Sequence, residues 1–596
     1  MKRREFLKQA ALSALPIEYP HRLFRNLTAV AATSRRWAHP GEPSWPTEGA
    51  WNELSGGIKG QIIKLQSPLS ICKDDQTSGA CDEVLKRLHS PFHLSDQPAL
   101  TQTSGWANAW ISSPSIYAVI PENAADVSAA VRFASQHNIR LVVKGGGHSY
   151  QGTSNAPDSL LIWTRSLNEI TFHNAFVGTG CESLSAPQPA VTLGAGLLWM
   201  DAYRSVTTEA GRYVQGGGCT TVGVAGLIQS GGFGSFSKKY GLAAAGLLEA
   251  EIVTADGRIL IANSCNHADL FWGLKGGGGG SLGVVTTMTL RTHALPEFFG
   301  GVFGVVKATS EAAYRQLVGR LIAFYSEELF NPTWGEQMRF LPGHRVEISM
   351  VFQGIDQQRA IDAWSPLINW VSASPKDYQF EQSLKIITMP ARHFWDPDYL
   401  KTHHPEFIVL DDRPETKKKR FVWAGDLGEA GQYIYAYQSA WLPATLLAID
   451  RRSNLCEALV SASQQWGVSL HFNKGLAGAS KSCLAEALNT AINPAATGAF
   501  ALAISASHGP PSYLGIPGHE PDHTAAQRDA RNVEAAMNAI RALVPNSGSY
   551  VSESDFFQSD WQQSYWGSNY ARLLAVKHKY DPTGLFFAHH GVGSED

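Results

Sequence analysis

Lys144-Gly145-Gly146-Gly147-His148-Ser149-Tyr150-Gln151-Gly152 follows the apolar run Arg140-Leu141-Val142-Val143. The run reads as a buried strand and the three glycines as a tight turn at its end. Consecutive backbone N–H groups without side-chain bulk form a nest for an anion such as a pyrophosphate. His148 stands inside that nest, although a turn histidine bonded to backbone has the same local signature. Upstream, Tyr117-Ala118-Val119-Ile120 reads as a strand ending at Pro121. Asn123 is placed to cap a helix from Ala124 to His137 with Val127, Val131 and Phe133 on its apolar face. The stretch is a strand–helix–strand unit that delivers a glycine-rich loop.

A second glycine block begins at Gly216-Gly217-Gly218-Cys219-Thr220-Thr221-Val222-Gly223-Val224-Ala225-Gly226 and continues through Gly231-Gly232-Phe233-Gly234. Such backbone lets a flat ring lie close to the chain. Cys219 has no cysteine near it in sequence, and a buried inert thiol is the bland reading of it. Leu247 to Asn263 reads as a hairpin turning at Ala255-Asp256-Gly257-Arg258, and Val284 to Leu290 as a Thr- and Val-rich strand. After Pro296 the glycine blocks stop. Helical patterns (Ser310 to Ser326, Thr524 to Leu543) and strand-like runs (Arg345 to Phe352, Gln432 to Tyr437) take over, which predicts a second domain. Lys417-Lys418-Lys419-Arg420 reads as a solvated loop.

The chain has 596 residues, enough for a sizeable core without disulfide staples. Hydrophobic residues at 44% exclude an intrinsically disordered chain, and a net charge of −3 provides no global basic field for nucleic acid. The uncharged stretch Tyr213 to Ser237 holds eight glycines and reads as loop and turn, so no membrane span is expected. Arg3-Arg4-Glu5-Phe6-Leu7-Lys8 followed by Ala10 to Leu15 is similar to a twin-arginine export signal, with Ala29-Val30-Ala31 as a cleavage site. Charged residues from Glu18 to Arg25 interrupt the apolar run, which leaves a cytoplasmic location open. Of seven cysteines, Cys72 and Cys81 bracket a polar loop and make a local disulfide plausible in an oxidising compartment.

Three familiar motifs fail on context. His519-Glu520-Pro521-Asp522-His523 matches H-E-x-x-H, but the prolines keep His519 outside any helix, so no metal site is expected. Gly279-Gly280-Ser281-Leu282-Gly283 matches a nucleophile elbow, yet glycines rather than a strand precede Ser281. Gly231-Gly232-Phe233-Gly234 lacks the full dinucleotide fingerprint.

The two glycine blocks and the tail Tyr565-Trp566-Gly567-Ser568-Asn569-Tyr570-Ala571-Arg572-Leu573 occur in an order that resembles the berberine-bridge-enzyme-like branch of the vanillyl-alcohol-oxidase flavoproteins. The resemblance covers residues 113–295 and the last fifty or so. It implies an α+β chain. A PCMH-type FAD-binding domain (113–295) would consist of two α/β subdomains, 113–200 and 200–295. A substrate domain (296–545) would carry an antiparallel sheet covered by helices. A leader (1–37), an N-terminal segment (38–112) packing on the flavin domain and a returning C-terminal segment (546–596) complete the expectation.

The resemblance further implies FAD bound through two covalent bonds, His148 to the 8α-methyl and Cys219 to C6. Expected cofactor contacts are Lys144, Gly145, Gly146, Gly147, Ser149, Gly152, Thr220, Val222, Gly223, Gly226, Gly231, Gly232, Val284, Asn569 and Tyr570. Val222, three residues after the cysteine, occupies the position associated with oxygen access and resembles the oxidase version. The implied reaction passes hydride from a small alcohol, sugar, phenolic or alkaloid-like substrate to the flavin, with O₂ reduced to H₂O₂. A dehydrogenase using another acceptor and a covalent-FAD binding protein with a degenerate pocket remain alternatives, since the plant-type Glu is absent from Leu488 to Gly498. Base candidates are Tyr437, His471, Asn473, Glu553 and Asp555. Trp423, Tyr435, Tyr437 and Trp441 are expected to form an aromatic wall or to pack under helices, and Tyr437 to have a lowered pKa. A monomer is expected.

Overall fold

The structure, a computed structural model, describes residues 37–595; the leader-like segment lies outside these. Among the described residues, Gln61–Lys64, Tyr117–Ile120, Ser159–Trp163 and Arg140–Lys144 form the first sheet in that order. Its last three strands are parallel, and Gln61–Lys64 is an antiparallel edge. Parallel strands need a crossover, and the helix Ala124–Gln136 supplies it. Asn123 caps that helix by accepting from the backbone N–H groups of Ala125 and Asp126. Val127, Val131 and Phe133 bury their side chains beneath it, as the spacing predicts.

The second sheet is antiparallel, in the order Ile259–Asn263, Leu247–Val253, Val284–Arg291, Gln188–Gly194, Ile170–Phe176. The division between the two sheets therefore falls between residues 163 and 170, not at 200. A disulfide the sequence did not suggest, Cys181–Cys265, ties two loops of this sheet, while Cys72–Cys81 closes where expected.

The largest sheet runs Tyr378–Pro390, Phe298–Ala308, Arg345–Gln353, Trp334–Leu341, Val468–His471, Ala499–Gly509, Gln432–Pro443, Thr103–Trp106, Trp110–Ile111. All neighbours are antiparallel except Thr103–Trp106 against Gln432–Pro443, so the N-terminal segment also extends this sheet. One face packs on the helices Glu311–Phe324, Gln357–Ser372, Arg452–Gln465 and His523–Leu543. The period of two divides the strands cleanly. Val302, Met338, Phe340, Ile348 and Met350 enter that core, whereas Phe303, Gln337, Arg339, Glu347 and Ser349 line a cavity on the other side. Glu336 breaks the alternation. Its φ of 67° is left-handed, and its carboxylate reaches the cavity side instead of the core.

The basic run 417–420 corrects the sequence reading at one position: Lys417, Lys418 and Lys419 are exposed in a loop as expected, but Arg420 is buried. The run belongs to a strap, residues 408–429, that opens with the small hairpin Ile408–Leu410 and Phe421–Trp423. Arg420 is 5% exposed and meets Asp201 through two bonds of 2.6 and 3.0 Å. Arg413 reaches Asp96 and Asp411 at 2.8 and 2.7 Å, and Arg165 meets Asp96 at 2.7 Å. A buried guanidinium persists where carboxylates pair with it, and Asp201 and Asp96 provide those partners.

Arg420→Ala leaves Asp201 buried with only the half-exposed Lys418 at 3.2 Å. The variant should lose about 3 kcal/mol of stability, read as an earlier urea midpoint. An unchanged midpoint would mean that the pair does not hold the strap.

Candidate active site

The two glycine blocks meet backbone to backbone. A Cβ on Gly146 would lie 2.7 Å from Gly223 N and 2.8 Å from Thr221 O, so neither chain can carry a side chain there. The second block is held in place by Trp199 N donating to Val222 O, Met200 N to Thr220 O and Val224 N to Leu197 O.

This contact brings His148 and Cys219 together. The Thr221 hydroxyl stands 2.9 Å from His148 Nε2 and 3.6 Å from Cys219 Sγ. A carboxylate oxygen of Glu429 joins them. It, Cys219 Sγ and a His148 ring nitrogen all lie within 4.8 Å of one another. Burial pushes His148 down to about 4, so its imidazole is neutral near pH 7. Burial, with Asp426 and Glu429 adding to it, pushes the Cys219 thiol well above its usual range. Asp426 and Glu429 sit in one short helical turn, Ala424–Glu429, at the end of the strap. Burial raises both carboxyls; Glu336 adds to this at Asp426, and Asp426 and Glu553 add to it at Glu429, which Lys474 draws down.

These residues open on a cavity of about 830 Å³ between the glycine blocks and the large sheet. The size is that of a small-molecule or cofactor pocket. Of the sequence-predicted residues, Lys144, Gly145, Gly146, Gly147, His148, Ser149, Cys219, Val222, Gly223, Gly226, His471, Asn473 and Glu553 line it. Lys144 nonetheless aims its ammonium elsewhere, at the carbonyls of Gln97, Pro98 and Leu100.

The others lie off the wall. Gly152 (φ 70°) makes room for Trp110, and Gly231 and Gly232 turn the chain beneath Ile492 and Leu227. Thr220 is fully buried, and so is Val284; its neighbour Val285 faces the cavity. Asn569 donates to Ile492 O and Tyr570 to Glu595, and it is Trp566 from this tail that reaches the wall.

The aromatic wall is corrected. A bulge between Ile434 and Ala436 interrupts the alternation, so Tyr435 packs with Tyr433 and Ala526 of the covering helix. Tyr437 instead joins the cluster around Phe233 and Trp441 and meets the Tyr150 ring at 5.1 Å in a tilted contact. Burial, Glu553, Tyr150 and Glu429 all raise the Tyr437 phenol, the reverse of the lowered pKa expected. Only Trp423 of the four lines the cavity, with its indole N–H on Gly218 O at 3.1 Å. Asp555 accepts from Gln438 at 2.9 Å and does not line it.

The carboxylates Glu336, Asp426 and Glu429 escaped sequence reasoning, although Glu553 did not. Glu336 bonds Ser235, and Asn473 donates to it at 3.3 Å. Burial raises its carboxyl. The only sequence signal for the pair was two acids spaced by three in a glycine-flanked turn, Gly425-Asp426-Leu427-Gly428-Glu429.

The wall fits a large polar cofactor with a flat ring. Gln151 Oε1, Gln229 Oε1, Ser281 Oγ, Asn473 Oδ1 and His590 Nδ1 are buried along it without a protein partner. A Cβ on Gly226 would meet nothing within 4 Å, and one on Gly279 only Gly226 Cα at 3.9 Å. At these positions the bare backbone serves the space in the cavity and not a neighbouring segment.

Comparison with known proteins agrees. Residues 115–263 match the family described as FAD binding domain, and residues 549–593 that described as berberine and berberine like. The chain is 30% identical to the FAD-linked oxidoreductase easE of Arthroderma otae, over 97% of this chain and 93% of that one. It is 28% identical to the VAO-type flavoprotein oxidase VAO615 of Thermothelomyces thermophilus, covering 93% and 92%. The solved VAO-type flavoprotein MtVAO615 from Myceliophthora thermophila C1 superposes with a TM-score of 0.74 at 24% identity, over 94% of this chain and 97% of that one. A carbohydrate oxidase from Microdochium nivale shares the fold at a TM-score of 0.60 and 19% identity, over 81% and 92%. Glycine blocks that meet at a cofactor-sized cavity, a tail that returns to it and this full-length similarity have one reading: the chain belongs to the FAD-linked oxidoreductases of the vanillyl-alcohol-oxidase type, with a berberine-bridge-like C-terminal segment.

Proposed function

We propose that the protein is an oxidase that holds FAD through covalent bonds to His148 and Cys219 and reduces O₂ to H₂O₂. The observation that carries this reading is the convergence of a neutral imidazole and a lone thiol on the Thr221 hydroxyl, at the wall of the cavity. Bound FAD would supply the hydride acceptor for a substrate C–H bond and the electrons for O₂. The first glycine turn would hold its pyrophosphate through backbone N–H groups. The second block, bare of side chains at Gly217, Gly218 and Gly226, would let the ring approach.

The substrate would lie on the open face of the large sheet. Gln337, Arg339 and Ser349 offer hydrogen bonds there, and Phe394 and Trp423, 5.4 Å apart, offer ring faces. Glu336 and Glu553 are carboxylates on the same wall able to receive a substrate proton, with His471 and Asn473 beside them. Such a wall suits a small hydroxylated or aromatic molecule: an alcohol, sugar, phenolic or alkaloid-like compound. That one structural relative is a carbohydrate oxidase supports the class. Val222 lines the cavity with a small side chain, which favours oxygen access. The two disulfides favour an oxidising compartment, in keeping with the export-like leader. No helix among the described residues is long and apolar enough to cross a membrane.

Acid-precipitated protein should stay yellow. His148→Ala or Cys219→Ala alone should keep flavin through the remaining bond, and the double variant should release all of it. Covalent flavin in the double variant would overturn the attachment sites.

Val222→Leu should slow reoxidation of the chemically reduced flavin by O₂, measured by stopped flow, while substrate-driven reduction keeps its rate. Equal slowing of both half-reactions would remove Val222 from the oxygen path. A parental chain reoxidised only by a quinone would be a dehydrogenase.

A further inference from the structure

Cys219 and His148 face different requirements as nucleophiles. Burial already keeps the His148 imidazole neutral, so its lone pair is free without help. The Cys219 thiol must first lose its proton, because the thiolate is the reactive form. Its surroundings oppose that loss. Burial, Asp426 and Glu429 all hold the proton on sulfur. A thiol in such a site needs a base within reach.

Two carboxyls are so placed: Asp426, which shares a hydrogen bond with the thiol, and Glu429, the stronger base of the two. One of the Glu429 carboxylate oxygens lies within 4.8 Å of Cys219 Sγ. Distances between reacting groups are commonly longer before a ligand is bound and shorten afterwards. The strap determines this position. Arg413 and Arg420 anchor it through Asp96 and Asp201, and the hairpin ending at Trp423 leads directly into the turn that carries Asp426 and Glu429. The charged and titratable groups around Glu429 are Asp426 on its own turn, Glu553 and Lys474, with Glu336 acting on Asp426. His148, Cys219, Tyr150 and Tyr437 complete the set. Burial, and then two carboxyls, Asp426 and Glu553, against one ammonium that is itself paired to Glu553, make Glu429 a stronger base than a solvated glutamate. The general-base efficiency of a carboxylate rises as its pKa approaches the working pH.

We propose that Glu429 takes the Cys219 thiol proton as the thioether to FAD forms, and that Asp426 tunes Glu429 for this task. The inference rests on the covalent attachment proposed above. The S–H bond breaks and its proton goes to the Glu429 carboxylate. The sulfur electron pair forms the C–S bond at flavin C6, and the hydrogen of C6 leaves as a proton. The two electrons released are taken by dioxygen, the oxidant the step requires, which with the two protons becomes H₂O₂. The strap thus has a role in maturing the site, distinct from walling in the substrate.

The full chain, produced under riboflavin starvation and then supplied with FAD in air, reads this out without any substrate. Timed samples are digested, and flavin-bearing peptides around His148 and Cys219 are quantified by mass. Glu429→Gln should form the Cys219 bond about 10²-fold more slowly at pH 7, the scale of a lost general base. The His148 bond should form at the parental rate. The Cys219 bond should recover in Glu429→Gln as pH rises, since hydroxide can then take the thiol proton, and Glu429→Asp should restore part of it at pH 7. The parental rate should climb with pH as Glu429 ionises. Asp426→Asn removes a like charge, lowers the Glu429 pKa and should move that climb toward acid. Parental formation of both bonds in Glu429→Gln would overturn the proposal. Equal loss of both would also overturn it, by showing a general structural role. If the parental chain forms no bond at Cys219, the attachment reading falls, and this inference with it.

Discussion

The close approach of Gly146 to Gly223 is the constraint on which the site depends. Neither backbone can come nearer, and neither position tolerates a β-carbon. The first turn ends a parallel sheet and the second block leads into the short helix Val224–Gln229, so these two segments must register to a fraction of an ångström. Only then does Thr221 stand between imidazole and thiol. A single hydroxyl cannot bridge them from either subdomain alone.

Buried lysines enforce the same registration from outside. Besides Lys144, Lys238 donates to the carbonyls of Phe472, Gly475 and Phe500, and Lys577 to those of Ser281 and Phe586. Lys144 binds the N-terminal segment, Lys238 the substrate-domain loops and Lys577 the tail. Each of these side chains donates to more than one backbone carbonyl, and Lys238 and Lys577 reach carbonyls of more than one segment. Burial pulls Lys238 down to about 7 and lowers Lys144 strongly. The segments surrounding the flavin subdomains are thus tied by lysine side chains placed inside those subdomains or inside the tail.

What could be read in the sequence was local. The strand–helix–strand unit around Asn123 depends on a cap and a 3.6-residue spacing, both visible in a dozen residues. The glycine blocks, His148 and Cys219 carried the cofactor reading because their order along the chain is itself informative. Failures came where parity or distance decides. A bulge moved Tyr435 away from Tyr437, one register step exchanged Val284 for Val285, and a left-handed residue brought Glu336 to the cavity. The division at residue 200 failed because Ile170–Phe176 is largely exposed, without a buried strand's signature. Arg420 and Glu429 acquire their meaning from Asp201 and Cys219, more than two hundred residues away in each case.

Glu336 carries a consequence of its own. In left-handed backbone any residue with a β-carbon is disfavoured relative to glycine, by about 1 kcal/mol or more. The sheet would fold with less strain if this position held no side chain at all. It holds an acid, pointed into a low-dielectric space where ionisation is itself disfavoured. Stability and charge are therefore in direct opposition at one residue. Selection for a hardier fold alone would be expected to neutralise this wall of the cavity, so improvements in robustness at this site would come at the expense of its polarity.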